Sequence, residues 1–170
     1  MKLKKYCAVA AISLLSAVSS QAATVFTDTF NYTVTDAFVA EGGWDTVINT
    51  GSGIGSGAGS GIMWGNGAGG ESALEYKHTV ALSAGDIISM DANLSRPWGG
   101  YYYGKEIILW DGANGGSRTS KVDHSHQGNA LTTTSYTVSG SDISGGLTHV
   151  IFKYSHDSNW GKTNEVTFQI

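Results

Sequence analysis

The sequence has 170 residues and a formal net charge of −4, with 24 glycines, one proline and one cysteine. This length suits one domain with a substantial core, and a single cysteine excludes an intramolecular disulfide framework. The acidic balance argues against nucleic acid and anionic lipid surfaces as partners, because their phosphates carry charge of the same sign.

The first 22 residues have the pattern of a secretory signal peptide. A basic start over residues 1–5 precedes an apolar stretch over residues 7–18, and Ser20-Gln21-Ala22 fits the small residues that signal peptidase requires. The apolar stretch is shorter than the roughly 20 residues of a membrane-spanning helix. We therefore predict export to the cell surface or the medium, with no membrane span after cleavage.

Residues 23–170 are then the mature domain. Cleavage removes Cys7 and leaves seven basic against fourteen acidic residues, a formal charge of −7. Glycine and β-branched residues are abundant, which favours strands and tight turns over helices. No cofactor is required by any motif in this segment.

The mature segment alternates repeatedly between apolar and polar residues, as half-buried strands do. Near the C-terminus, Val166, Phe168 and Ile170 share one face and Glu165 and Thr167 the other. Many short strands of this kind, joined by turns, predict an all-β fold: a single antiparallel β-sandwich of jelly-roll type. The predicted strands, in chain order, are 25–30, 44–49, 73–80, 86–94, 102–110, 118–122, 131–139, 147–155 and 163–170.

Smaller features complete the predicted organisation. A Gly-Asp turn between residues 73–80 and 86–94 favours a hairpin of these two strands. The glycine-rich stretches 51–61 and 65–70 lack the lysine and helix start of a phosphate-binding loop, so we interpret them as surface loops. Residues 123–126 carry two histidines, a pattern that suits zinc or copper in a strand, but no third ligand follows, and we predict a polar loop.

The tryptophans supply the clearest candidate for a binding site. Trp98 and Tyr101 lie in one glycine-rich loop, and Asp157, Asn159 and Trp160 lie in another. Flat aromatic faces beside amide and carboxylate groups suit a sugar ring, which offers apolar C–H faces and hydroxyls. We expect these five residues to line one exposed patch. Trp110 and Tyr154, which lie in alternating strands, are predicted to be core residues.

Calcium is the metal that the chain would favour, as a structural ion. Asp28 lies on the first predicted strand of the mature domain and Glu165 on the last. Terminal strands of a sandwich are often neighbours, and two carboxylates with backbone carbonyls would form a hard oxygen site. The alternative is that both are ordinary surface acids.

Catalytic motifs are absent from the sequence. The nucleophile pattern G-x-S-x-G does not occur, and the mature segment has no thiol. Glycoside hydrolysis usually needs two convergent carboxylates. No acidic motif pairs Glu71, Glu75 or Glu106, and we interpret these as solvated carboxylates on strands.

Several segments together resemble the exported jelly-roll domains of bacterial PEP-CTERM/exosortase-type surface proteins. They are Val25-Phe26-Thr27-Asp28-Thr29-Phe30-Asn31 after the signal peptide, Leu82-Ser83-Ala84-Gly85-Asp86, Tyr136-Thr137-Val138-Ser139-Gly140-Ser141-Asp142-Ile143, and Phe152-Lys153-Tyr154-Ser155-His156-Asp157-Ser158-Asn159-Trp160-Gly161. Those domains are similar in turn to concanavalin A-like and carbohydrate-binding modules. The resemblance implies a secreted adhesion, matrix or glycan-binding role and implies no activity.

One part of that family pattern is missing. Such proteins end in Val-Pro-Glu-Pro, an apolar helix and a basic tail, whereas this sequence stops at Ile170 in a strand-like run. The sequence is then either a piece of a longer surface protein or a released one. We predict a secreted, non-catalytic binding module for an extracellular glycan or matrix polymer. The alternatives are a structural or adhesive matrix protein, and a glycoside hydrolase or lyase of sandwich fold.

Overall fold

The structure is a computed structural model, and it describes residues 22–49, 54–56, 58–65, 72–94, 102–127, 133–156 and 162–170. Within these ranges the chain forms eleven strands and one short helix. In chain order they are β1 Thr24–Asp28, β2 Thr46–Asn49, β3 Ile54–Ser56, β4 Met63–Gly65, β5 Ser72–His78, β6 Ile87–Leu94, β7 Tyr102–Trp110, β8 Arg118–Gln127, β9 Thr134–Thr137, α1 Gly140–Ser144, β10 His149–His156 and β11 Lys162–Gln169.

The strands form two antiparallel sheets that pack as a sandwich. The first sheet has the order β3-β4-β11-β6-β9, with β1 also paired to β11, and the second has the order β2-β5-β10-β7-β8. From β5 onwards most consecutive strands lie in opposite sheets, as in a jelly roll. The predicted fold class, a single antiparallel β-sandwich, is therefore confirmed.

The core lies between the inner faces of the two sheets. Phe152 on β10 and Phe168 on β11 are both fully buried and stack with ring centroids 4.6 Å apart. Phe26 on β1 stacks on Phe168 at 5.2 Å and meets the edge of Trp44 at 4.9 Å. Truncating a buried phenylalanine in such a cluster typically costs about 3–5 kcal/mol, so these rings are a main source of stability.

The predicted hairpin of residues 73–80 and 86–94 is wrong. β5 and β6 lie in different sheets, so the segment between them crosses from one sheet to the other. Leu82, in the middle of the crossing, is buried, and its amide donates to the carbonyl of Thr148 at 2.7 Å. The crossing segment therefore packs on the core and bonds to the residue that precedes β10. A two-residue hairpin turn would instead connect two neighbouring strands of the same sheet.

Two predicted loops contain strands. Part of the glycine-rich region forms β3 and β4, which pair with each other, and β4 also pairs with β11. Residues 123–126, predicted as a polar loop, belong to β8, which continues to Gln127 because it pairs along the whole length of β7. Backbone pairing thus overrides the weak strand propensity of glycine and polar residues.

The helix α1 was not foreseen in the sequence. Ser139 caps it: the side chains of Ser139 and Asp142 accept from each other's backbone amides in a capping box. Asp142 also accepts from the Tyr136 hydroxyl at 2.7 Å and from Lys121 Nζ of β8 at 2.6 Å. These donors, Lys121 first, hold the pKa of Asp142 well below its usual value. The cluster ties α1 to strands of both sheets.

Among the described residues, no helix has the length and apolar character of a membrane-spanning segment.

Candidate functional site

The outer face of the second sheet carries a row of charged residues across three strands. Lys153 on β10 pairs in register with Glu75 on β5 and with Glu106 on β7. Residues paired in this way point to the same face of a sheet. The Lys153 ammonium lies 3.3 Å from the Glu106 carboxylate. The row is therefore an ordered set of alternating charges on one face.

Two residues along the strands from this row, the same face carries two isoleucines. Ile151 on β10 pairs with Lys77 on β5 and with Ile108 on β7, so all three side chains share the outer face. Ile151 is fully buried and Ile108 nearly so. Isoleucine side chains on a sheet face that is open to water would be exposed. Longer polar side chains must therefore cover the two isoleucines.

An ion pair across the sheet shows that the face is concave. Arg118 Nη2 on β8 donates to Glu75 Oε2 on β5 at 2.8 Å. Strands β10 and β7 lie between them, and three strand intervals of about 4.8 Å would separate them by roughly 14 Å in a flat sheet. Glu75 also aligns with Asp123, five residues from Arg118 along β8, which adds roughly 15 Å along the strand direction. The two side chains and the bond between them do not span the combined distance, so the sheet twists and curls and brings its far strands together. Glu75 is 5% exposed, and its predicted role as a solvated carboxylate is wrong.

Trp110, at the end of β7, also belongs to this concave face. Its indole Nε1 donates to the carbonyl of Ala113 at 2.9 Å, which fixes the ring. Lys77 Nζ lies 5.6 Å from the ring centroid, and the His149 ring lies 5.9 Å away. The ring is only partly buried, so the prediction that Trp110 is a core residue is wrong. Tyr154, predicted to be in the core as well, is fully buried.

The loop after Trp110 is held in one shape by Asp111. Its carboxylate accepts from the amides of Ala113 at 2.9 Å and of Ser117 at 2.8 Å, and these bonds lower its pKa. A Cβ at Gly116 would lie 1.9 Å from Asp111 Oδ1, so any larger residue there would displace the carboxylate. Gly115 has a positive φ of +74°, which also favours glycine. The loop is therefore a preformed wall beside the indole.

Together these groups enclose an open groove of about 340 Å³. Its size is at the lower end of the range for small-molecule sites. One wall is β2, the floor comes from β5, and the other wall is the loop between β7 and β8. The lining residues are Thr46, Ile48, Glu75, Lys77, Trp110, Ala113, Asn114, Gly115, Gly116 and Arg118. An indole face, hydroxyl and amide groups and an ion pair are thus brought together.

The sugar-binding patch predicted from the sequence lies outside the described residues. This applies to all five of its members, Trp98, Tyr101, Asp157, Asn159 and Trp160.

The strands that flank the two loops of that patch are described. Leu94, before one loop, pairs with Thr163, which follows the other. His156, before the second loop, pairs with Tyr103, which follows the first. Both loops therefore leave from the same end of the sandwich. The groove at Trp110 lies towards the opposite end, because Trp110 ends the strand whose start adjoins the loops.

The predicted calcium ligands lie on neighbouring strands but face in different directions. β1 pairs with β11, and Asp28 is opposite Val166, a core residue, so Asp28 points inward. Glu165 is one position away from Val166 and therefore points outward, where it accepts from Thr167 Oγ1 at 3.3 Å. The structure thus does not bring the two carboxylates together, and calcium binding stays a prediction.

Asp28 instead anchors the segment that follows β1. Oδ1 accepts from the amide of Phe30 at 2.7 Å, and Oδ2 accepts from the Tyr32 hydroxyl and from Trp44 Nε1, the latter at 2.5 Å. Burial of Tyr32, together with the Asp28 carboxylate, raises the pKa of that phenol well above its usual value. Both carboxylate oxygens therefore already have donors from the protein.

The part of the chain that the structure describes contains no candidate metal cluster. Within the described ranges, no three histidine, cysteine, aspartate or glutamate side chains are grouped closely enough to hold an ion. The side chains of His124 and His126, considered for zinc or copper, lie outside the described residues, although their backbone belongs to β8.

Comparison with known proteins returned no match: no family model, no curated protein and no solved structure is similar to this chain. The function must therefore be inferred from the chemistry of the groove.

Proposed function

We propose that this chain is an exported, non-catalytic binding module for extracellular carbohydrate, and that its sugar site is the groove at Trp110. The observation that carries the proposal is an indole that is only partly buried, is locked by its own loop and stands in a polar groove. A fixed aromatic face beside hydrogen-bonding groups suits a sugar ring, because stacking costs little conformational freedom. The signal-peptide pattern and the resemblance to exported jelly-roll domains also support it.

The polar groups of the groove suit hydroxyl recognition. Arg118 donates to the buried Glu75 in a charge-assisted pair and keeps further N–H groups for adjacent hydroxyls. Thr46 and Asn114 line opposite walls and add a hydroxyl and an amide. One ring stacked on Trp110 would contribute on the order of 1 kcal/mol. Affinity for a single sugar unit should therefore be weak.

A glycoside hydrolase would need more carboxylates in the groove than the described residues place there. Among the residues that the structure describes, Glu75 is the only carboxylate that lines it, and it is engaged by Arg118. Two-carboxylate hydrolysis requires a second acid across the sugar. We therefore propose binding without cleavage. Release of new reducing ends from a bound glycan, abolished in Glu75→Gln, would instead establish an enzyme.

A structural matrix protein is the other alternative. Such a role favours large apolar patches or open strand edges. Most exposed large apolar residues lie singly in loops and at strand ends, and the exception, Val47 and Ile48, lies on the short edge strand β2. The long edge strand β8 carries Arg118, Lys121 and Asp123, charges that discourage edge-to-edge pairing. The described surface thus fits a binding module better than a self-assembling matrix protein.

A glycan microarray probed with the labelled mature domain tests the proposal. We expect retention of one class of polysaccharide, and Trp110→Ala should abolish that retention while the thermal unfolding curve stays cooperative. The matched control is Trp160→Ala, which removes a tryptophan of the loop patch. Binding that is unaffected by Trp110→Ala would move the site elsewhere, and absence of binding to any glycan would overturn the proposal.

A further inference from the structure

The groove presents positive charge to whatever enters it, although the chain as a whole is acidic. Its charged lining residues are Glu75, Lys77 and Arg118. Glu75 is 5% exposed and accepts from Arg118, so its charge is both covered and paired. The Arg118 side chain is 43% exposed, and its bond to Glu75 uses one of its five N–H groups, which leaves further N–H groups for a ligand.

Lys77 is the second cation. Among the described residues no carboxylate pairs with its ammonium, which lies over the Trp110 ring at 5.6 Å from the centroid. Its backbone is fixed by β5 and by the Asp45 side chain, which accepts from the Lys77 amide. The ammonium thus lies over the indole, and a sugar that stacks on this ring would have its substituents close to that charge.

The acidity of the remaining chain does not cancel this local charge. After signal cleavage the formal charge is −7, but charges beyond about 8 Å are largely screened at physiological ionic strength. The accessible charged groups that line the groove are the Lys77 ammonium and the Arg118 guanidinium. Asp45 and Asp111, next in sequence to lining residues, accept from backbone amides and are not part of the lining. An anionic group on a sugar would therefore be attracted locally, whereas a long polyanion would gain little from the molecule as a whole.

We infer that the groove selects acidic sugars of the uronic acid class, with the sugar ring on Trp110 and the carboxylate between Lys77 and Arg118. The inference rests on the proposed function, since it names the ligand class of the same groove. A guanidinium suits a carboxylate because its N–H groups match the two oxygens.

The test compares ligands that differ only in charge. Oligogalacturonate and oligomannuronate are each titrated into the mature domain beside their own methyl esters, by calorimetry. We expect each free acid that binds to bind about three- to tenfold more tightly than its ester, as one or two partly exposed charge pairs give. Lys77→Met keeps the aliphatic stem and should reduce that preference about two- to fivefold.

Lys153→Met is the control, because it removes the same charge from the same face outside the groove lining. It should leave the preference intact. Equal affinities for acid and ester, with binding still dependent on Trp110, would overturn the acidic-sugar inference and leave the proposed function standing. A preference of unchanged size in Lys77→Met would also overturn it. Absence of binding by acids and esters alike would overturn the inference, whereas the proposed function would fall only if the array retained no glycan.

Discussion

Replacing Asp28 with alanine removes a carboxylate that three donors share. Phe30 N, Tyr32 Oη and Trp44 Nε1 all donate to it. Their residues are at most 4% exposed, so water does not readily take the place of the lost acceptor. The carboxylate joins the end of β1 to the segment that returns to the core at Trp44.

The size of the expected stability loss depends on the donors that cannot reorient towards another acceptor. The Tyr32 hydroxyl can rotate, but the Phe30 amide and the Trp44 indole N–H are fixed by backbone and ring. At about 1–3 kcal/mol for each buried donor left without an acceptor, Asp28→Ala should lower the free energy of unfolding by about 2–6 kcal/mol. Since a typical domain has about 5–15 kcal/mol in total, this loss is severe.

Urea unfolding followed by tryptophan fluorescence measures this loss. The control is Asp123→Ala, which removes an exposed acid from β8 and should change the unfolding free energy by less than about 0.5 kcal/mol. If Asp28→Ala costs no more than the control, the reasoning is refuted. We expect the same loss with and without EDTA, because protein donors engage both oxygens. A loss confined to samples that contain calcium would assign the carboxylate to an ion.

Two further predictions concern pH and the groove loop. Because Lys121 and its neighbours lower the pKa of Asp142, the stability from this carboxylate should be complete above its ordinary pKa of about 4 and should decline as the pH falls below it. Urea unfolding at pH 7 and pH 3 checks this, and an equal decline in Asp142→Asn would contradict it. Gly116→Ala should displace the Asp111 carboxylate and weaken glycan binding in calorimetry. Gly140→Ala, where an added Cβ meets nothing within 4 Å, should leave binding unchanged, and equal affinities in the two variants would refute the role of the loop.

Alternation along the strands was sufficient to predict the sandwich. In β11, Val166 and Phe168 are buried, whereas Glu165 and Thr167 are less so, as the period of two requires. The same pattern does not identify the partner of a strand, because a strand looks alike whether it continues into a hairpin or crosses to the other sheet. For that reason β5 and β6 were wrongly predicted to pair.

The groove was harder to predict than the fold. Around the end of β7 the residues Ile107, Ile108, Leu109 and Trp110 are all apolar, so no alternation reveals which of them faces outward. The period of two in residues 74–77 does place Glu75 and Lys77 on the polar face of β5. Their connection to Arg118, however, depends on the curvature of a sheet over three strand intervals, which a pattern of single residues does not encode.

The location of the ligand is tested most directly by the indole N–H signals of the domain in a ¹H–¹⁵N NMR titration. The mature segment has five tryptophans, and single Trp→Phe variants assign each signal. With the glycan retained on the array, we predict a shift of the Trp110 signal that saturates with ligand, whereas Trp44, which is 1% exposed, stays in place as an internal control. Saturating shifts of Trp98 or Trp160 with a static Trp110 signal would contradict the account and place the sugar at the opposite end of the sandwich.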